Sequence, residues 1–160
     1  MRFDGEVHRN QRLLPDLTMT RRQVAAMAAI PLGFGRLTAQ TPPEIAELFG
    51  DLAAALSDGR VADFMRHFDE SMPRYAELRT LVSALLEQAE VSSSVEFTNV
   101  EQDQSDYLVE VDWLLHLQAR SPGEPIDRRR GKLKCRAARK GRAWKITSLS
   151  PVDFFRPPRY

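Results

Sequence analysis

Beyond position 40 the apolar residues follow two periods in turn, three-and-four spacing up to about residue 90 and strict alternation after it. The first segment opens at Thr41-Pro42-Pro43-Glu44. Thr41 is placed to cap a helix, proline fits the first turn, and Glu44 sits three residues on to close a capping box. Ile45, Leu48, Phe49, Leu52 and Leu56 then form one stripe, with Glu44, Glu47 and Asp51 off it, until Ser57-Asp58-Gly59 ends the helix. Asp58 is placed to cap a second helix, in which Val61, Phe64, Met65 and Phe68 repeat the spacing. Ser71-Met72-Pro73 interrupts the pattern. A third helix is predicted from about Arg74 to Glu90, with Tyr75, Leu78, Leu81, Val82, Leu85 and Leu86 on a broad apolar face.

From residue 91 the pattern is that of strands. "VSSSVEFTNVEQD" is rich in Ser and β-branched residues and ends at Asp103-Gln104-Ser105-Asp106, which is turn chemistry. "YLVEVDWLLHLQAR" puts Val109, Val111, Trp113, Leu115 and Leu117 on one face, and Glu110, Asp112, Leu114, His116 and Gln118 on the other. A loop at 121–125 leads to "IDRRRGKLKCRAARK", where Leu133, Cys135 and Ala137 oppose a row of Arg and Lys. Lys140-Gly141 turns the chain into "RAWKITSLS", with Trp144 and Ile146 sharing a face. Three helices followed by four antiparallel strands predict an α+β fold, with the helices covering one face of the sheet and the other left to solvent.

The run "RRRGKLKCRAARKGR" invites a nucleic-acid reading, which the hairpin tests. With Gly123 at the apex, Asp112 falls opposite Lys134, Glu110 opposite Arg136, Val111 opposite Cys135 and Trp113 opposite Leu133. The outer face then reads as a ladder of opposite charges, each pair worth roughly 0.2–1 kcal/mol. Arg128, Arg129 and Arg130 are less well matched and are the candidates to meet an anion. From position 41 onward there are 17 basic and 19 acidic residues, a formal net of −2. That balance argues against nucleic acid as a partner.

The first 40 residues have a different character. Arg21 and Arg22 precede Val24 to Gly35, an uncharged run of about a dozen residues that is short of the roughly 20 needed to span a bilayer. Pro31, Gly33 and Gly35 also break any long helix there. The pattern is that of a signal peptide over 19–40, the other reading being a buried helix of the domain. Thr20 to Ala25 resembles the twin-arginine export signal of bacteria, with Val24 and Ala25 where that signal prefers Phe and Leu, so a general secretory route stays open. Residues 1–18 are expected to be an extension ahead of a functional start at Met19, or a disordered tail. The domain is placed at 41–160 and the protein in the periplasm, with membrane association only where the N-terminal segment is uncleaved.

Candidate chemistry is sparse. His8, His67 and His116 have no metal-ligand spacing. The single cysteine, Cys135, alternates inward and reads as a buried small hydrophobe. There is no nucleophile elbow, phosphate loop or dinucleotide fingerprint, and no cofactor is expected. Phe64, Tyr75, Trp113, Leu115 and Trp144 are the candidates to line an apolar pocket between helices and sheet, the other reading being that such residues are simply core. Asp63 and Asp69 are the acids that could serve such a pocket as a base, the other reading being that each is a solvated acid on a helix surface.

The element order, the segment "DGRVADFMRHF" at 58–68 and the terminal strand "W-x-I-x-S-L" at 144–149 resemble small bacterial members of the nuclear transport factor two-like superfamily. This superfamily also holds the ketosteroid isomerases, scytalone dehydratase and the SnoaL-like polyketide cyclases. The resemblance covers about residues 41 to 155 and implies a cone-shaped sheet wrapped around helices, with a pocket at its wide end. It further implies a small apolar ligand or a protein partner, and a homodimer formed through the sheet. The alternative it carries is an acid–base isomerase, dehydratase or cyclase, whose pocket holds an Asp or His with a Tyr. Here the inward strand face carries no acid, and Asp112 and His116 point outward.

Overall fold

The computed structural model describes residues 40–123 and 126–159. The export signal read at 19–40, with Arg21 and Arg22, and the extension at 1–18 lie outside the described residues. Three helices, α1 (Pro43–Ser57), α2 (Val61–Met65) and α3 (Tyr75–Gln88), precede four strands, β1 (Ala89–Asp103), β2 (Asp106–Ala119), β3 (Ile126–Lys140) and β4 (Ala143–Ser150). The strands form one antiparallel sheet in the order β1-β2-β3-β4. A one-turn 3₁₀ helix, Val152–Phe155, follows.

α1 forms on the expected stripe, and Ile45, Leu48, Phe49, Leu52 and Leu56 are all buried. Its start differs. Pro42 is the N-cap, no side chain caps the turn, and the carbonyl of Pro42 accepts from the N–H groups of Ile45 and Ala46. Thr41 precedes a proline, which holds it in extended geometry one residue too early to cap. Asp58 does not cap α2 either: Arg60 holds that place, and the Asp58 carboxylate takes Arg60 at 2.6 Å instead. α2 stops at Met65, so Phe68 reaches the core from the next segment. There residues 67–69 run parallel to β4 and pair with Ile146, whose N–H donates to His67 O (2.9 Å) while its carbonyl accepts from Asp69 N–H (2.9 Å). This single bridge ties the segment to the middle of the β4 edge.

Two bulges curve the sheet. One lies between Phe97 and Asn99 of β1, the other between Arg136 and Ala137 of β3, opposite Thr147. Each switches which residues face inward: Val95 and Phe97 give way to Val100, and Ile146 to Leu149. β2 carries no bulge within its run against β3. Its Val109, Val111, Trp113, Leu115 and Leu117 therefore all face the core and are fully or almost fully buried.

The β2–β3 register differs from the expected one by two residues. Glu110 pairs with Lys134, Asp112 with Lys132, Val111 with Leu133, and Trp113 with Gly131. Sliding a hairpin by two keeps every side chain on its face and still sets acid against base, so periodicity does not choose between the two registers. Gly131 shows what chooses. A Cβ there would lie 2.8 Å from the ring of Phe154, so the strand needs a residue without a side chain where that ring lands. At the β3–β4 turn, Gly141 takes φ +66°, the left-handed geometry that a two-residue hairpin loop demands.

Candidate functional site

The concave face of the sheet is where a pocket would lie, and side chains fill it. Phe155, fully buried, stands edge-on to Trp113 (ring centroids 5.2 Å, 90°) and to Phe64 (5.6 Å, 61°). Phe154 covers Gly131 and meets Phe155 at 5.2 Å. Phe49 adds a further ring at 6.3 Å from Trp113. Burying each such aromatic ring contributes on the order of 1.5–3 kcal/mol. The one polar atom of Trp113 is satisfied, since Nε1 donates to Ser93 Oγ at 2.8 Å. Among the described residues no polar or charged residue is buried.

Arg129 holds the 3₁₀ segment in place. It faces Leu115 across the ladder, on the inward side, and is only 20% exposed. Its guanidinium donates to the carbonyls of Phe154 (2.7 Å) and Arg156 (2.6 Å), with Asp127 at 3.7 Å. The "PVDFF" stretch at 151–155 gave no periodic signal of this role. The hints were an unexplained mid-strand glycine and a lone arginine in an inward position.

Of the pocket candidates, the structure brings Phe64 and Trp113 together around Phe155, with Leu115 buried in the same core. Tyr75 is elsewhere, half-buried in a groove of about 480 Å³ between α2 and α3, beside Met65, Arg66 and Arg79. Trp144 packs on Tyr107 at 5.4 Å toward the β3–β4 turn, and its buried Nε1 has no hydrogen-bond acceptor.

The acids lie outside. Asp63 pairs with Arg60 (2.7 Å) and Arg66 (3.5 Å). Asp69 accepts from the hydroxyl (2.7 Å) and N–H (2.9 Å) of Ser71, which hold its carboxyl below the usual range, with Lys140 at 3.4 Å. A base tuned for proton transfer near neutrality needs the opposite shift. Burial pushes the Cys135 thiol up to about 12, which makes it inert rather than nucleophilic. His67 is half-buried, and burial lowers its pKa. Among the described residues no three His, Cys, Asp or Glu side chains cluster as metal ligands, and no helix is long and apolar enough to cross a membrane.

The outer face of the sheet is charged by strand. Glu96, Glu110 and Asp112 lie on β1 and β2; Arg128, Arg130, Lys132 and Lys134 lie on β3. Glu110 pairs with Lys134 (3.3 Å) and Asp112 with Arg130 (2.8 Å). Glu96, Arg128 and Lys132 enter no ion pair among the described residues, and Leu108 and Leu114 are half-exposed between them. A cleft of about 490 Å³ opens at the base of the sheet, where the α1–α2 turn meets the start of β1 and the end of β2.

No protein-family model and no curated protein matches the chain. Solved structures do. A proposed scytalone dehydratase from Novosphingobium aromaticivorans superposes with a TM-score of 0.59 at 11% identity, over 82% of this chain and 85% of that one. A ketosteroid isomerase-like protein from Erwinia carotovora atroseptica gives 0.56 at 11%, over 66% and 90%. A nuclear transport factor 2-like superfamily protein from Salmonella enterica serovar Typhimurium gives 0.54 at 10%, over 66% and 85%. At such identities the likeness is one of fold: three helices on a curved four-stranded antiparallel sheet, the cone-shaped nuclear transport factor two-like architecture.

Proposed function

We propose that this chain is an exported binding module of the nuclear transport factor two-like superfamily, paired into homodimers through its sheet, and that it performs no acid–base chemistry inside its cone. The observation that carries this reading is the filled concave face, where Phe155 occupies the space between Trp113 and Phe64 and no carboxylate or imidazole among the described residues is buried. An isomerase or dehydratase of this fold needs a carboxylate or imidazole beside the reacting carbon, with a pKa shifted toward neutrality. Asp63 and Asp69 are in surface ion pairs instead. The unpaired charges of the outer face support pairing. A two-fold stack of sheets sets the Lys132 and Arg128 of one copy against the Glu96 of the other and covers Leu108 and Leu114.

The test is to offer the purified chain a Δ5-3-ketosteroid between pH 5 and 9 while following its mass by sedimentation. The expected result is a dimer that leaves the steroid unchanged, and that Lys132→Glu converts to monomer. Turnover with a bell-shaped pH profile would return the protein to the acid–base reading. A monomer at about 100 μM, a concentration at which even a weak pairing of about 10 μM would be mostly formed, would remove the dimer. Export is checked by intact mass. A periplasmic species starting near Gln40 or Thr41 supports cleavage of 19–40, and a full-length cytoplasmic one refutes it.

A further inference from the structure

The two edges of the sheet are treated differently. Among the described residues, 67–69 bridge to Ile146 on the β4 edge through two backbone hydrogen bonds, whereas the β1 edge receives a side-chain contact from the end of α1: Ser57 Oγ accepts from Ser93 N–H at 3.0 Å. That contact fixes which way the backbone of β1 points. In an antiparallel pair, alternate residues direct both N–H and C=O toward the partner strand. Arg120 N–H donates to Gln88 O at 3.1 Å, so even-numbered residues at this end of β1 face β2 and odd-numbered ones face outward. Ala89 N–H is used by α3, where it donates to Leu85 O, and Ser93 N–H by Ser57. Between them the N–H and C=O of Val91 and the C=O of Ala89 point out of the sheet, with no strand among the described residues to receive them. Farther along β1, Glu96, Glu101 and the bulge at Phe97/Asn99 guard the edge.

This stretch of edge is a wall of the 490 Å³ cleft, a volume in the range of sites that hold small ligands and short peptide segments, ~300–1,000 Å³. The other walls are apolar inside, at Leu86 and Val91, and carry Ile126 on the outer lip. At 64% exposure, Ile126 is the one large hydrophobic residue standing in solvent among those described. Arg120 gives the cleft a cationic end, since the Asp58 carboxylate at the other end is paired with Arg60 at 2.6 Å. Asp58 lies at the Ser93 end, beside Ser57, and Arg120 lies at the other, opposite Gln88. The Arg120 guanidinium is 49% exposed and spends one N–H on Leu86 O (3.3 Å). Its nearest acid, Glu90, is 3.7 Å away and 71% exposed, too far for a hydrogen bond.

We propose that this cleft binds the C-terminal tail of an extended polypeptide, its backbone paired with Val91 and its terminal carboxylate on Arg120. The cationic end sets the direction. A tail running from the Asp58 end to the Arg120 end lies antiparallel to β1, the more stable pairing, and brings its negative end to the guanidinium. From Ser93 to Ala89 is four steps of ~3.4 Å, so about four residues are held. Their side chains alternate between the side of the sheet that carries Leu86 and Val91 and the side that carries Glu90 and Ser92. This is strand addition to a sheet edge, in which main-chain bonds give affinity and alternate side chains give selectivity.

The proposal extends the binding-module reading by naming a partner, and its test reads different residues. The probe is the tetrapeptide acetyl-Ala-Val-Ala-Leu with a free carboxylate, titrated into the full-length ¹⁵N-labelled chain. Amide shifts are expected at Val91, Ser92, His116 and Arg120. The same peptide ending in a carboxamide should bind about tenfold weaker or worse, the effect of losing one charge-assisted contact. Arg120→Gln should show the same loss for the free-acid peptide while keeping the spectrum of the folded chain, and Arg120→Lys should recover part of it. A peptide N-methylated at the residue facing Val91 should not bind. Absence of shifts at about 10 mM peptide, or equal binding of acid and amide, overturns the proposal. Either result leaves the dimer and the steroid assay to be judged by themselves.

Discussion

Gly131→Ala tests whether the 3₁₀ segment shapes the sheet. The new Cβ would fall 2.8 Å from Cδ2 and Cε2 of Phe154, against an optimal carbon–carbon separation of about 3.5–4.0 Å. The ring must therefore retreat by about 0.7 Å or more. It has little freedom to do so, with Phe155 perpendicular to it at 5.2 Å and its own carbonyl held by Arg129 at 2.7 Å. Overpacking of this kind costs about 1–3 kcal/mol. Alanine recovers about 0.5–1 kcal/mol over glycine through the reduced freedom of the unfolded chain. The net expectation is a loss of about 1–2 kcal/mol, read by urea denaturation as a lower midpoint at unchanged slope. Phe154→Ala alone should cost about 2–4 kcal/mol, somewhat under the usual range for a fully buried ring. In that background Gly131→Ala should be neutral or stabilising, which makes the coupling between the two sites about 1.5–3 kcal/mol. If the alanine is equally harmless with and without the ring, the reasoning from Gly131 to the C-terminal segment fails.

Arg129→Met should destabilise the chain by about 1–2 kcal/mol, because the part-buried carbonyl of Phe154 and the exposed one of Arg156 lose a charged donor. The same melts on Arg128→Met, whose side chain points to solvent, should show almost no change. Cys135, with its thiol pushed up to about 12, should not react with a disulfide reagent at pH 8 in the native state and should react at once in urea. His67 makes stability depend on pH. Burial lowers its folded pKa below the ordinary 6.5, with Arg66 and Lys145 lowering it further while Asp51 and Asp63 oppose them. The chain should therefore keep its full stability above about pH 6.5 and lose part of it as the pH falls through the folded pKa. His67→Gln should flatten that part of the curve, whereas an unchanged slope would mean the imidazole is not the group responsible.

Much of the fold was legible because burial here follows periodicity closely. The α1 stripe and the β2 alternation are both realised residue for residue. Two of the failures share a cause, a partner remote in sequence, and a third is local. Periodicity allowed two hairpin registers, and Phe154, which lies 23 residues after Gly131, selected one of them. The bridging segment at 67–69 is too short to carry a pattern, and its pairing exists because Ile146 offers it a backbone edge. Thr41 met the rule for a cap by residue type but lost the place to the proline after it. The candidate pocket residues were chosen as large inward aromatics. That criterion finds the lining of a cavity and the filling of a core alike, and only the position of Phe155 tells the two apart here.

The order in which the chain supplies its parts bears on how it must fold. Val152–Phe155 follow all four strands in sequence, yet Phe155 contacts Phe64, 91 residues before it, and Trp113. During synthesis the amino-terminal parts emerge first, at about 5–20 residues per second. Helices and sheet therefore exist for a time as a concave apolar surface with nothing seated in it. Contacts of such sequence separation form slowly, and an exposed surface of this kind is what chaperones bind. Pulse proteolysis of stalled chains would show the transition, with protection of Trp113 arising only once residue 155 has left the ribosome.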